Sequence, residues 1–125
     1  MNAIAQAQQA YAPAQFTVST PRAIESKLIS QITSRLRNAQ RKGGDDFPLL
    51  ASALLENRKF WTAMAIDVAG SDNLLPQALR AQICYLAEFT EIQSEKILSG
   101  EGSIDVLIDI NTAVLRGLSQ QVTQQ

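Results

Sequence analysis

Three carboxylates, one thiol and two amides are the groups in this chain of 125 residues whose spacing could do chemistry. Glu88, Glu91 and Glu95 stand three and four residues apart, which on a helix gathers them on one face. Paired carboxylates so placed could pass a proton or hold a hard cation. Three like charges on a helix face are ordinarily solvated, however, and nothing near them in sequence supplies further ligands. Cys84, the sole cysteine, falls on that same polar side with only Arg80 as a cationic neighbour and no base, so it reads as an inert thiol. The chain has no histidine, which removes histidine triads and the usual zinc and haem ligand sets, and one cysteine cannot form an internal disulfide. Gly43-Gly44 and Gly100-Glu101-Gly102 read as helix stops and not as phosphate cradles. No catalytic residue, cofactor or metal is expected, and the enzyme reading lacks a nucleophile, a base and a metal site.

The two amides sit where a core wants apolar side chains. At about 100° per residue, Asn57 falls near the centre of the stripe Leu50, Leu54, Trp61, Val68, and Asn111 among Ile104, Ile108, Leu115 and Leu118. A buried amide without partners costs about 1–3 kcal/mol. Two readings follow: each bonds the backbone of a neighbouring segment and fixes helix register, or one lines a groove and bonds a bound peptide.

The elements that must position these groups are helices. Gly and Pro divide the sequence into four long segments with helix signals at their ends and no two-residue alternation of strands. The first has Thr20 as N-cap, Pro21 at its first position, the stripe Ile24, Leu28, Ile32, Leu36, and a stop at Gly43-Gly44. The second follows Asp45-Asp46, accepts Pro48 in its first turn and stops at Gly70, with Leu50, Leu54, Trp61, Met64, Ala65 and Val68 on one side. The third runs from Asn73–Pro76 to Gly100, and the fourth from Ser103, with Asp105 in its first turn, to about Leu118. Short loops favour antiparallel neighbours, so the expected fold is an all-α four-helix up-down bundle. Residues 1–19 are expected to be an N-terminal arm, 20–119 the bundle and 120–125 a polar tail; whether Ala3–Tyr11 forms a further short helix is left open.

Composition fits one globular domain: 46% hydrophobic and 18% charged. No stretch approaches the ~18 consecutive apolar residues of a membrane span, and Met1–Tyr11 lacks the basic start of a signal peptide. With a single cysteine, these features place the chain in the cytoplasm without a membrane partner. Charge is lopsided: residues 1–44 carry six basic side chains against Glu25, the remainder five against eleven acidic ones. The ordinary reading is a basic helix lying beside acidic ones. The sharper reading is that Lys27, Arg35, Arg37, Arg41 and Lys42 meet RNA or an acidic partner. With pI near 5.3 and no aromatic within the basic run, direct nucleic-acid binding is the weaker of the two.

The third segment is apolar around more of its circumference than a surface helix needs. Leu79, Ile83, Leu86 and Ile97 make one stripe; Ala78, Tyr85, Phe89 and Ile92 make a second, offset by about 100°. Either this helix is central and both stripes are core, or the second is an exposed groove for an amphipathic partner helix. Phe60, next to Trp61 but about 100° away from it, poses the same alternative.

The order Thr20-Pro21-Arg22 with Glu25, Ala53-Leu54, Asn57-Arg58 and Trp61, Asp67, Asn73-x-Leu75-Pro76 with Leu79-Arg80-Ala81, then Ile110-Asn111 with Gly117-Leu118, resembles the flagellar regulator family FlaF of alphaproteobacteria. The resemblance runs from about Tyr11 to Leu118; the Ala/Gln-rich N-terminus and the Gln tail depart from it. It implies a part in flagellum assembly: promoting flagellin synthesis and secretion, chaperoning flagellin, and acting with a second regulator, FlbT, that restrains flagellin translation. Under that implication the expected partner-binding residues are Phe60, Trp61, Tyr85 and Phe89 as apolar anchors, with Asn57, Arg58, Arg80 and Asn111 as polar determinants. The rival is an RNA-binding regulator of flagellin message.

Overall fold

Each helix ends where local chemistry stops it. In the computed structural model, which describes residues 19–70 and 72–123, four helices follow one another: α1 (Ser19–Lys42), α2 (Phe47–Ala69), α3 (Gln77–Leu98) and α4 (Asp105–Thr123). Thr20 and Pro21, expected as the cap and first position of this helix, both lie within α1. It stops at Gly43, whose φ of 63° is the left-handed conformation that a side chain disfavours. Asp46 caps α2 by accepting a hydrogen bond from the Leu49 N–H at 3.0 Å, and Pro48 fits the first turn, where its missing N–H leaves no bond unmade.

α3 closes with a Schellman motif: the Gly100 N–H donates to the Ile97 carbonyl at 2.9 Å and the Glu101 N–H to the Lys96 carbonyl at 2.8 Å. Gly100 holds φ at 82° with open space where a Cβ would project. Gly100→Ala is therefore expected to destabilise by about 1–2 kcal/mol through backbone conformation alone, read as a lower urea midpoint at unchanged m-value. At α4, the Ser103 hydroxyl accepts from the Asp105 N–H at 3.1 Å, and Asp105 lies in the first turn as the helix dipole favours. The helix continues to Thr123, past the expected end near Leu118. The question of a helix in Ala3–Tyr11, the arm except for Ser19, and the side chains of Ile24 and Leu118 lie outside what is described.

α2 packs against both α1 and α3, and α1 also packs against α4. Two apolar clusters fill the ends of the bundle. One joins Ile29 and Ile32 of α1 to Phe60, Trp61, Met64 and Val68 of α2, Leu75 and Ile83, and Val114 of α4. The other joins Leu36 and Ala39, Ala53 and Leu54, Ile97, and Ile104, Leu107 and Ile108. Early α1 thus meets late α2, early α3 and late α4, which is the alternation of an up-down bundle. The chain is all-α, with no strand among the described residues.

The α1 stripe needs correction. Ile29, Ile32, Thr33, Leu36 and Ala39 are buried, whereas Leu28 is 42% exposed. A strict four-residue row from Ile24 to Leu36 turns about 40° at each step, so it leaves the core face; alternating steps of three and four stay on it.

Candidate functional site

Between the two apolar clusters lies a polar belt to which every helix contributes: Thr33, Asn57, Thr90 with Ser94, and Asn111, all buried. The Trp61 indole N–H donates to Asn111 Oδ1 at 3.0 Å, and Asn111 Nδ2 donates to Asn57 Oδ1 at 2.8 Å. The Thr33 hydroxyl donates to the Ile29 carbonyl at 2.6 Å within its own helix. The asparagines therefore bond each other, and Asn111 also bonds Trp61, in place of the neighbouring backbone groups expected for them. Such a relay fixes the register of α2 against α4, because sliding either helix by one turn breaks both bonds.

The other expected polar determinants sit at helix joints. Arg58 pairs with Glu91 across α2 and α3, its Nε donating to Oε1 at 3.1 Å and its Nη2 to Oε2. The hydrogen bond to Glu91 raises the Arg58 pKa most, burial opposes this, and the charges of Glu91 and Glu95 add to the rise. A raised cation stabilises below its unfolded pKa and loses its contribution only as pH climbs through the folded value, above the ordinary arginine range. No neutral-pH titration of Arg58 disturbs the pair. Arg80 instead fastens the start of α3 to the end of α2: its Nε donates to the Val68 carbonyl at 2.8 Å, with Nη2 reaching the Gly70 carbonyl at 3.5 Å. The Val68 carbonyl belongs to the last turn of the helix, which lacks intrahelical partners, while the Gly70 carbonyl also accepts from the Asn73 N–H at 3.1 Å. Arg80→Ala is expected to cost about 1–2 kcal/mol in chemical denaturation. Arg58→Ala, removing a half-exposed ion pair, should cost under about 1 kcal/mol, and less in high salt.

Of the expected apolar anchors, Phe60 and Trp61 are core: their rings meet edge to face at 5.8 Å, and Trp61 is 1% exposed. Phe60, 6% exposed, is part of the interior cluster with Ile29, Ile32 and Trp61, which corrects the expectation that its ring serves as an outward anchor. Only Tyr85 and Phe89 reach an outer face. Tyr85 is 64% exposed, Ile92 49%, Ala78 and Ala81 are exposed, and Phe89 is half-buried. Together they form an apolar stripe along α3, rimmed on the edge nearer α2 by exposed Glu88 and Glu95. α3 is thus not a central helix with two core faces; its second stripe lies outside.

Sequence reasoning did not single out Thr90 and Ser94 as core residues. Their signal was the seven-residue row Ile83, Thr90, Ile97, which keeps one face over two heptads. No group of His, Cys, Asp or Glu among the described residues could hold a metal, and Glu91 of the acidic trio is occupied by Arg58. No helix among them is long and apolar enough to cross a membrane.

These features define a helical bundle with an apolar face exposed on one helix. A family model described as flagellar protein FlaF matches residues 7–118. The chain belongs to this family of flagellar proteins. No curated protein and no solved structure matches it.

Proposed function

We propose that the chain binds flagellin as a chaperone and so promotes its synthesis and secretion, with the outer stripe of α3 as the docking face. One observation carries the reading: in a chain of a flagellar family, Tyr85 and Ile92 are left in water beside half-buried Phe89 on a helix with a complete apolar stripe elsewhere. Exposed rings and branched side chains in a row are costly to leave solvated and suit capture of an amphipathic helix by its i, i+3, i+4, i+7 anchors. Binding is non-catalytic on this reading, and FlbT is a second candidate partner whose contact would compete for, or add to, the same face.

Glu88 and Glu95 give the stripe one charged edge, so a docked helix with cations along one flank is held in a single orientation, and charge affects its rate of arrival more than its final affinity. Cys84, exposed one turn from Glu88, reports on coverage. The full chain is to be titrated with purified flagellin, whole and truncated at either end, while the alkylation rate of Cys84 is followed. Saturating flagellin is expected to slow alkylation at least about five-fold, and one truncation to abolish the protection. Absence of both binding and protection at micromolar concentrations overturns the reading. The RNA alternative rests on the exposed Lys27, Arg37, Arg41 and Lys42 of α1; binding to flagellin message that falls steeply with salt would favour it instead.

A further inference from the structure

Among the described residues, three buried side-chain atoms in the polar belt find no hydrogen-bond partner: Asn57 Nδ2, Thr90 Oγ1 and Ser94 Oγ. Their residues are at most 1% exposed. The Arg58–Glu91 pair sets the level at which α2 and α3 meet, and it puts Asn57 opposite the turn that Thr90 and Ser94 bracket. Thr90 and Ser94, four residues apart, share one face of α3, and both turn inward as Asn57 does. The three orphaned groups thus belong to two facing helices, beside the residues that the Arg58–Glu91 pair brings together.

The chemistry of the orphans is fixed by Trp61. An indole N–H can only donate, so the atom it meets on Asn111 is the oxygen; Asn111 must then present its NH2 to Asn57, and Asn57 accepts with its own oxygen. The relay runs in one direction and ends on a donor, Asn57 Nδ2. The other two orphans are hydroxyls, each able to give and to take a hydrogen bond.

We infer that a single buried water completes this relay, accepting from Asn57 Nδ2 and bonded to the hydroxyls of Thr90 and Ser94. A buried water makes about three hydrogen bonds to groups otherwise unsatisfied, and a domain holds roughly one per 27 residues, so one molecule meets all three demands at once. The water ties α3, the helix carrying the exposed stripe, to the Trp61–Asn111–Asn57 relay, so the belt reaches α3 through solvent and not through direct side-chain bonds.

The test uses the full chain. A crystal structure at about 1.5 Å is expected to show a water within ~3.2 Å of all three atoms. In solution, a water-to-amide magnetisation transfer should reach the Asn57 side-chain NH2 protons, although that group is buried. Thr90→Val with Ser94→Ala should abolish the transfer and shift the Asn57 side-chain resonances while leaving the helical circular dichroism unchanged. Density in which Asn57 Nδ2 donates straight to either hydroxyl, with no water in reach, overturns the inference. So does transfer that persists in the double variant. If the double variant does not fold, Ser94→Ala alone replaces it, and the wild-type density decides.

Discussion

Replacing Asn111 with alanine is expected to lower the unfolding free energy by about 3 kcal/mol, a large part of the ~5–15 kcal/mol typical of a domain. The substitution strands two buried groups, the Trp61 indole N–H and Asn57 Oδ1, that now bond to the Asn111 amide. Each unsatisfied group costs about 1–3 kcal/mol, and the deleted amide leaves a void between α2 and α4. For a domain of this size the loss corresponds to a melting temperature lower by roughly 12–20 °C. Trp61 is the only tryptophan, so its fluorescence in a urea titration follows the very residue that loses its partner. A double-mutant cycle separates the relay from simple loss of volume. Trp61→Phe should cost about 1–2 kcal/mol less in the Asn111→Ala background than in the parent, because the bond it removes is already gone. A loss below about 1 kcal/mol for Asn111→Ala, with additive single effects, would mean that the relay does not hold α2 to α4.

How much of this was legible in the sequence depended on the range of the interaction. Asp46, Pro48, Gly43 and Gly100 act within one turn of themselves, and helix ends followed from their chemistry with errors of a residue or two. The late end of α4 is the exception: Gln-rich sequence is neutral toward helix, and no Gly or Pro follows Leu118 to stop it. The α1 core face was misjudged because a four-residue row looks apolar in sequence yet winds away from the core, and Ile29, beside Leu28, takes the buried position. Asn57 and Asn111 stood out as amides in apolar stripes, but their bond to each other joins residues 54 apart and depends on how the helices are arranged. Thr90 and Ser94 did not stand out, since small hydroxyls suit a solvated face as well as a tight interior. For α3 the sequence offered two stripes and no means of choosing between them. The choice follows from α3 packing most extensively against α2, which leaves Tyr85 and Ile92 on a face that the other described helices do not cover.

That exposure separates binding from folding, and the second large effect follows from it. Tyr85→Glu combined with Ile92→Glu is expected to abolish flagellin binding, by at least about 100-fold, while lowering stability by no more than about 1–1.5 kcal/mol, mostly through repulsion from Glu88 and Glu95. Tyr85 lies mostly in water and Ile92 about half so, and neither belongs to the interior clusters, so the folded bundle loses little packing when they change. In a docked complex the same positions would be desolvated, and a carboxylate there meets an apolar surface without a partner. Two anchors worth about 2 kcal/mol each correspond to roughly a thousand-fold in affinity, so the 100-fold figure allows for incomplete additivity. Phe60→Ala is the necessary contrast. Its ring belongs to the interior cluster beside Trp61, so any binding it loses should track a loss of stability of about 3 kcal/mol or more and return where the variant is folded. Calorimetric titration of each folded variant with flagellin, paired with its urea midpoint, distinguishes the two kinds of loss. If the double glutamate variant stays folded and still binds with parental affinity, the outer stripe of α3 is not where flagellin docks, whatever the family's part in the flagellum.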